Sequence, residues 1–382
     1  MTKKPASDRE LKYKRIVAKF GTNVLTAGTD RLDTELMSSL VAQVAELRKR
    51  GAEVLVVTSG AIAAGRHRLG LHDPKKDRKD MPFRQVLAAV GQSDLMQTYQ
   101  ELFARHDLTI AQTLLTRRDL ADRLGYLNAR NTLLAMLELG VVPIINENDV
   151  VAVDEIEGTK IGDNDNLSAL VANLVDADLL ALLTDIAGLH TSDPRSNPAA
   201  ELISRVERID AGVEALAGKT QSERSVGGMA TKIQAAKLAT GGGADMFIVA
   251  GKEPDVLVRL ASGEQIGTYF PASADRMESR KRWMLTGLSV KGTVIVDEGA
   301  ARVLRERKMS LLPAGVRDVQ GSFQRGDAVA IAGPDGRIAC GIANYSSEEI
   351  ARIRGMRSER IEETLGHHYG SEVVHRDNLV LL

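Results

Sequence analysis

The chain has 382 residues, enough for two domains that each bury a core of their own. Its 50 basic residues balance 51 acidic ones for a formal charge of −1, and aromatics make up 3%; this argues against a global field for nucleic acid and against a surface built to stack exposed bases. A single cysteine, Cys340, excludes an intrachain disulfide framework and a multi-cysteine zinc site.

In chain order, Met1 to Arg15 is charged and lacks the apolar centre of a secretory signal. No stretch reaches the roughly 18 apolar residues of a spanning helix. The expectation is a soluble, cytoplasmic protein with no membrane partner. Arg15 to Phe20 reads as a strand and Gly21-Thr22-Asn23 as a turn. Leu36 to Arg50 is amphipathic and helical, closing at Gly51. Val54 to Val57 reads as a buried strand that runs through Thr58-Ser59-Gly60 into another helix. Val141 to Ile145, Leu179 to Leu183 and Asp245 to Val249 read as further interior strands. Apolar runs joined by helices predict an α/β fold, a three-layer αβα sandwich around a mostly parallel sheet. Ligands of such sheets gather beyond the carboxyl ends of the strands, where Ser59, Asn146 to Asp149 and Thr184-Asp185 fall.

The texture changes after Phe270-Pro271. A basic link, Arg276 to Trp283, precedes short strands at Gly292 to Val296, Ala328 to Ala332 and Ile338 to Ile342. A turn signal, Gly333-Pro334-Asp335-Gly336, lies among them, and one helix, Glu298 to Arg307, interrupts them. Cys340 sits in an apolar run that reads as buried strand. The predicted layout is a tail over 1–14, a first domain over 15–272, a linker over 273–288 and a small, mostly β second domain over 289–382.

Several strand-end motifs carry chemistry. Lys19 precedes a glycine turn, where an ammonium reaches phosphate oxygens that Gly21 lets approach the backbone; alone, it also reads as a solvated lysine. Thr58-Ser59-Gly60-Ala61-Ile62-Ala63-Ala64-Gly65 exposes helix N-terminal amides suited to a carboxylate or phosphate, or simply to close helix–strand packing. No Gly-Lys-Ser/Thr follows, so it is not a Walker loop. Asn146-Glu147-Asn148-Asp149 offers acceptors for an α-amino group, with Asp149 the choice for the ammonium; a structural loop network is the competing account. Ile161 to Ser168 packs two acids and two amides before an apolar run, suited to capping a helix, holding an amino acid and orienting lysines or a metal. Thr184-Asp185 suits a ribose or base edge. Val226-Gly227-Gly228-Met229-Ala230-Thr231-Lys232 leads a glycine pair into a helix and suits a polyphosphate. The set of two lysines, acids, amides and glycine amides is the inventory of phosphoryl transfer, which needs positioning and electrostatics and no covalent nucleophile. The His367-His368 pair has no evident third ligand and receives no metal role.

In this order the motifs closely resemble the amino acid kinase family, in its glutamate 5-kinase branch with a carboxyl-terminal PUA domain, from Lys19 to the end of the chain. The resemblance implies the amino acid kinase fold followed by a PUA pseudo-barrel, of which Lys291-Gly292-Thr293-Val294 and Gly326-Asp327-Ala328-Val329 are the clearest features. It implies phosphorylation of the γ-carboxylate of L-glutamate by MgATP, with Mg2+ as cofactor, at the first step of proline biosynthesis. It implies proline as inhibitor, a homodimer or tetramer, and functional coupling to a glutamyl phosphate reductase. Carried over, Lys19 and Lys232 stabilise the transferring phosphoryl group and Asp165 holds the lysines. Ser59, Gly60, Asn146, Asp149 and Asn164 bind glutamate. Lys19, Thr184, Asp185 and the segment Val226, Gly227, Gly228, Met229, Ala230, Thr231 and Lys232 bind ATP. Two departures bear on regulation and on the nucleotide: a longer Asp154 to Lys160 segment near where substrate and proline would sit, and Val226, with Ser225 before it, where threonine and glycine are expected.

Two other readings compete, one a sibling in the same fold and one from another class. A sibling kinase would act on acetylglutamate, aspartate, carbamate or a nucleotide; the paired polar motifs and the PUA tail argue against it. A regulator binding RNA through the second domain would need no Lys19, Asp165 or Lys232, and the balanced charge disfavours strong nucleic-acid affinity.

Overall fold

The computed structural model describes residues 10–29, 31–71, 80–121, 123–152, 164–194, 196–218, 228–273, 290–307 and 309–381. Ile161, Gly162 and Asp163 of the polar octad, the Asp154 to Lys160 segment, Ser225, Val226, Gly227 and the basic link Arg276 to Trp283 lie outside the described residues. The chain divides into two compact units, Met1–Ala121 with Asn128–Arg276, and Asp122–Leu127 with Met277–Leu382.

The first unit is built on a seven-stranded sheet of β1 (Arg15–Phe20), β2 (Glu53–Val57), β3 (Ile110–Leu115), β4 (Val142–Glu147), β5 (Leu179–Thr184), β6 (Asp245–Ala250) and β7 (Thr268–Phe270), in the order β3-β4-β2-β1-β5-β6-β7. Six strands run parallel, and only the edge strand β7 is antiparallel. The central strands are mostly Val, Leu, Ile and Ala and are buried along almost their whole length, as a sheet covered on both faces requires. β1 is the hinge of the topology, with β2 on one side and β5 on the other, so the carboxyl ends of β1, β2, β4 and β5 converge at the switch point where such sheets bind ligands. The sequence reading named five of these strands; the structure adds the edge strands β3 and β7.

Two long helices enter with side-chain caps. Asp33 accepts from Leu36 N at the start of helix Thr34–Lys49, and Asp80 accepts from Phe83 N at the start of helix Met81–Ala104. Helix Ala61–Arg68 crosses Met81–Ala104 at two glycines. A Cβ on Gly65 would lie 1.9 Å from the Leu87 carbonyl oxygen, and one on Gly91 1.8 Å from that of Ala61. Only glycine permits this approach of two backbones.

Helix Asn164–Leu174 buries its first turn from Asp165 onward and is anchored at its other end by Arg130, 2% exposed, from helix Arg123–Glu138. The guanidinium donates to the Leu174 carbonyl and, at 2.6 Å, to Asp176, a residue at φ 52°. Arg130→Met is expected to destabilise the unit by about 3 kcal/mol, because it takes a donor from a buried carbonyl and an ion-pair partner from a half-buried carboxylate. A lowered urea midpoint with unchanged slope would show it, and an unchanged midpoint would remove the clamp from the argument.

The second unit holds a five-stranded sheet of β8 (Gly292–Val296), β9 (Val316–Gly321), β10 (Ala328–Gly333), β11 (Gly336–Ile342) and β12 (Leu379–Leu381), ordered β12-β11-β10-β8-β9. Gly333 and Gly336 close the β10–β11 hairpin around Pro334-Asp335, with Gly336 at φ 111°. Cys340 is buried in β11, as its flanks implied. Helix Ser347–Ile353 carries a complete capping box between Ser346 and Glu349, and His367 bonds that glutamate at 2.7 Å. Among the described residues no helix is long and apolar enough to cross a membrane.

Candidate active site

Lys19 lies one residue before the end of β1, flanked in register by Val57 of β2 and Leu182 of β5. Its ammonium is buried and meets Asp165 Oδ1 at 2.6 Å. Lys232, in the first turn of helix Met229–Gly241, meets the other oxygen, Oδ2, at 2.9 Å. Thr231 Oγ1 donates to the same oxygen at 3.1 Å. Each ammonium carries three N–H donors and gives one to this carboxylate. Asp165 is 0% exposed. Burial alone would raise its pKa, but the two ammonium groups and their hydrogen bonds outweigh that and hold the carboxyl well below its ordinary 3.8. Its place in the first turn of helix Asn164–Leu174 adds the positive end of a helix dipole.

Asn164, the preceding residue, opens a second cluster. Its amide nitrogen donates to the Thr58 carbonyl at 2.7 Å and to Asn146 Oδ1 at 2.9 Å, with Ser59 Oγ at 3.2 Å. Asn146, near the end of β4, donates in turn to Gln92 Oε1 at 2.8 Å. Thr58 Oγ1 pairs with the buried Tyr99 hydroxyl at 2.8 Å. Gly60 caps helix Ala61–Arg68 at φ 95° and Gly228 caps helix Met229–Gly241, both without a side-chain bond. Two helix N-termini therefore open without a side-chain cap, a setting for anions.

At the end of β5, Thr184 Oγ1 donates to Asp185 Oδ1 at 3.0 Å and Asn23 donates to Oδ2 at 2.9 Å. Burial opposes ionisation of Asp185, but these hydrogen bonds prevail and lower its pKa. Both residues line a cavity of about 230 Å³ with Asn23, Val24, Ala250 and Lys252.

The structure thus gathers Lys19, Asp165, Thr231 and Lys232 into one cluster and Ser59, Asn146 and Asn164 into another, joined through consecutive residues 164 and 165. Asp149 lies two residues past β4, half-buried. Met229 is buried in the first turn of its helix while Ala230 is exposed. The sequence reading missed Gln92 and Tyr99, interior to helix Met81–Ala104, and missed Asn23 and Lys252 at the cavity. Gly91, a glycine in mid-helix, was the available signal for Gln92.

An open parallel sheet with buried lysines, a carboxylate and open helix N-termini at its switch point is an α/β protein with an anion-handling site of small-molecule type. The model of the amino acid kinase family matches residues 14–250, and that of the PUA domain matches residues 292–365. The chain belongs to the amino acid kinase family. It is 53% identical over 372 residues to a protein of Dehalococcoides mccartyi strain CBDB1 named glutamate 5-kinase, covering 97% of this chain and 99% of that one. A protein of the same name from Herpetosiphon aurantiacus is 55% identical over 98% of this chain and 99% of its own length. A third, from Burkholderia multivorans, is 50% identical over 97% and 98%.

Proposed function

We propose that the chain transfers the γ-phosphoryl group of ATP to the γ-carboxylate of L-glutamate, giving L-glutamyl 5-phosphate and ADP. The observation that carries the reading is the buried Lys19–Asp165–Lys232 bridge at the strand ends. Relatives at about half identity over nearly their whole length, named for this activity, supply the substrate.

In this reading a carboxylate oxygen of glutamate attacks the γ-phosphorus in line as the bond to the ADP oxygen breaks. The nucleophile is ionised at neutral pH, so no general base is required. Lys19 and Lys232 neutralise charge on the transferring group, and Asp165 fixes where their ammonium groups stand. Ser59, Gly60, Asn146, Asp149 and Asn164 hold the amino acid. Thr184, Asp185 and the Val226 to Lys232 segment hold ATP, with the cavity beside Asp185 taking its nucleoside end. Mg2+ bound with the nucleotide would supply further charge neutralisation, with its ligands coming chiefly from the nucleotide. The donor set fits this arrangement, since both Asp165 oxygens already accept from lysines.

The kinase domain spans 15–272 and the PUA domain and tail 289–382. Proline acts as feedback inhibitor, the protein works in the cytoplasm where its co-substrate is made, and it assembles as a dimer or tetramer. The acyl phosphate product is prone to cyclise, which favours prompt use by a reductase.

ADP release from MgATP should depend on L-glutamate and not on aspartate or N-acetylglutamate, and should fall on titration with proline. Folded, ATP-binding protein without glutamate-dependent release would overturn the reading. Release indifferent to proline would remove the inhibitor alone.

A further inference from the structure

The amides of the second cluster form a relay whose direction is set at one end by a backbone carbonyl. Thr58 O can only accept, so the Asn164 amide must turn its nitrogen toward it. The Asn146 atom at 2.9 Å from that nitrogen is then its oxygen, and its own nitrogen must point away, toward Gln92. Gln92 meets it with its oxygen. The choice usually left open for amide side chains is closed here at each step.

Two buried atoms of the relay are left without a hydrogen-bond partner among the described residues, Asn164 Oδ1 and Gln92 Nε2. A buried amide nitrogen with no acceptor is unfavourable, and an apolar side chain of similar size would avoid it. Packing alone does not account for glutamine at this position; its oxygen does. Gln92 reaches Asn146 from the interior of helix Met81–Ala104, beside the Gly91 contact that brings this helix against Ala61.

Resting on the reading of glutamate as substrate, we infer that Gln92 is a positioning residue for the amino acid. By accepting from Asn146 it holds the far end of the relay in place, and so steadies Asn164, whose unpaired Oδ1 is the acceptor for the substrate's ammonium. It touches neither ATP nor the transferring group. A leucine at 92 takes the acceptor away from the Asn146 amide nitrogen, so that the Asn146 side chain is no longer held from both ends and loses its fixed place beside Asn164.

The test compares Gln92→Leu, Gln92→Glu and the parent in ADP release at varied L-glutamate and varied MgATP, with thermal melts of each. Gln92→Leu should raise the KM for glutamate about tenfold, the loss expected when a bond to a charged group is misdirected, with kcat and the ATP KM nearly unchanged. Gln92→Glu keeps an acceptor for Asn146 and should recover most of that loss. In an Asn164→Ala background, Gln92→Leu should add nothing further. An unchanged glutamate KM in Gln92→Leu overturns the inference. So do equal losses in the Leu and Glu variants, or effects of residues 92 and 164 that simply add. A parent without glutamate-dependent turnover would sink the substrate reading instead, so the two failures are distinguishable.

Discussion

Lys232→Met is expected to lower kcat about 10²- to 10³-fold while leaving the protein as stable as the parent, and Lys19→Met to behave the same way. The kinetic half follows from removing a fixed positive charge at the place where charge develops. The stability half follows from counting charges within the bridge. Asp165 is fully buried and holds one lysine on each oxygen, so either lysine variant leaves one carboxylate facing one ammonium. Asp165→Asn differs, because it leaves two buried ammonium groups with no anion between them. It should cost about 3 kcal/mol in addition to turnover. The sign with pH is fixed by the depressed carboxyl. Stability from ionised Asp165 is fully present above its ordinary 3.8 and is lost only as pH falls through the lower folded value. Any loss of activity between pH 5 and 7 therefore has another origin. Steady-state kinetics with urea melts of the three variants test this; a Lys232→Met enzyme with near-normal kcat, or an Asp165→Asn protein of parental stability, would break the account.

What could be read from the chain alone follows from how the fold is buried. β1, β2, β4, β5 and β6 lie in the interior of the sheet, so each announces itself as an apolar run. β3 is an edge strand, and Gln112 and Leu114 face out while Leu115 faces in; that mixture has no clear strand signature. β7 has three residues, too few to show a period. The bridge residues were legible because each stands at a strand end or opens a helix, where a charged or glycine residue has no structural reason to follow an apolar run. Gln92 stands in mid-helix, eleven residues from the nearest helix start at Met81, and looks like a surface residue. Its role depends on how closely two helices approach, which no local pattern records.

That approach gives the second large effect. Gly91→Ala places a methyl group where the Ala61 carbonyl oxygen would be 1.8 Å away, and Gly65→Ala one at 1.9 Å from the Leu87 carbonyl oxygen. Both obstacles are backbone, so no rotamer relieves them and the helices must separate. A cost of about 3 kcal/mol is expected for either, at the upper end for overpacking. Gly241→Ala is the control. It sits at the exposed end of helix Met229–Gly241 with nothing within 4 Å of the added carbon, and alanine's better helix propensity should leave stability equal or raised by up to about 1 kcal/mol. The crossing also reaches the site. Ala61 begins the helix that Gly60 caps, and Gly91 adjoins Gln92, so separating the helices moves the Ser59-Gly60 amides and the Gln92–Asn146 bond together. In Gly91→Ala protein that remains folded, the glutamate KM should therefore rise more than the ATP KM, since the residues proposed for ATP stand on β1, β5 and helix Met229–Gly241. Equal rises in both would mean that the crossing supports the unit as a whole and not the amino-acid side of the site; parental stability in Gly91→Ala would mean that the helices yield without cost, and with that the argument tying Gln92 to the Gly91 contact would fall.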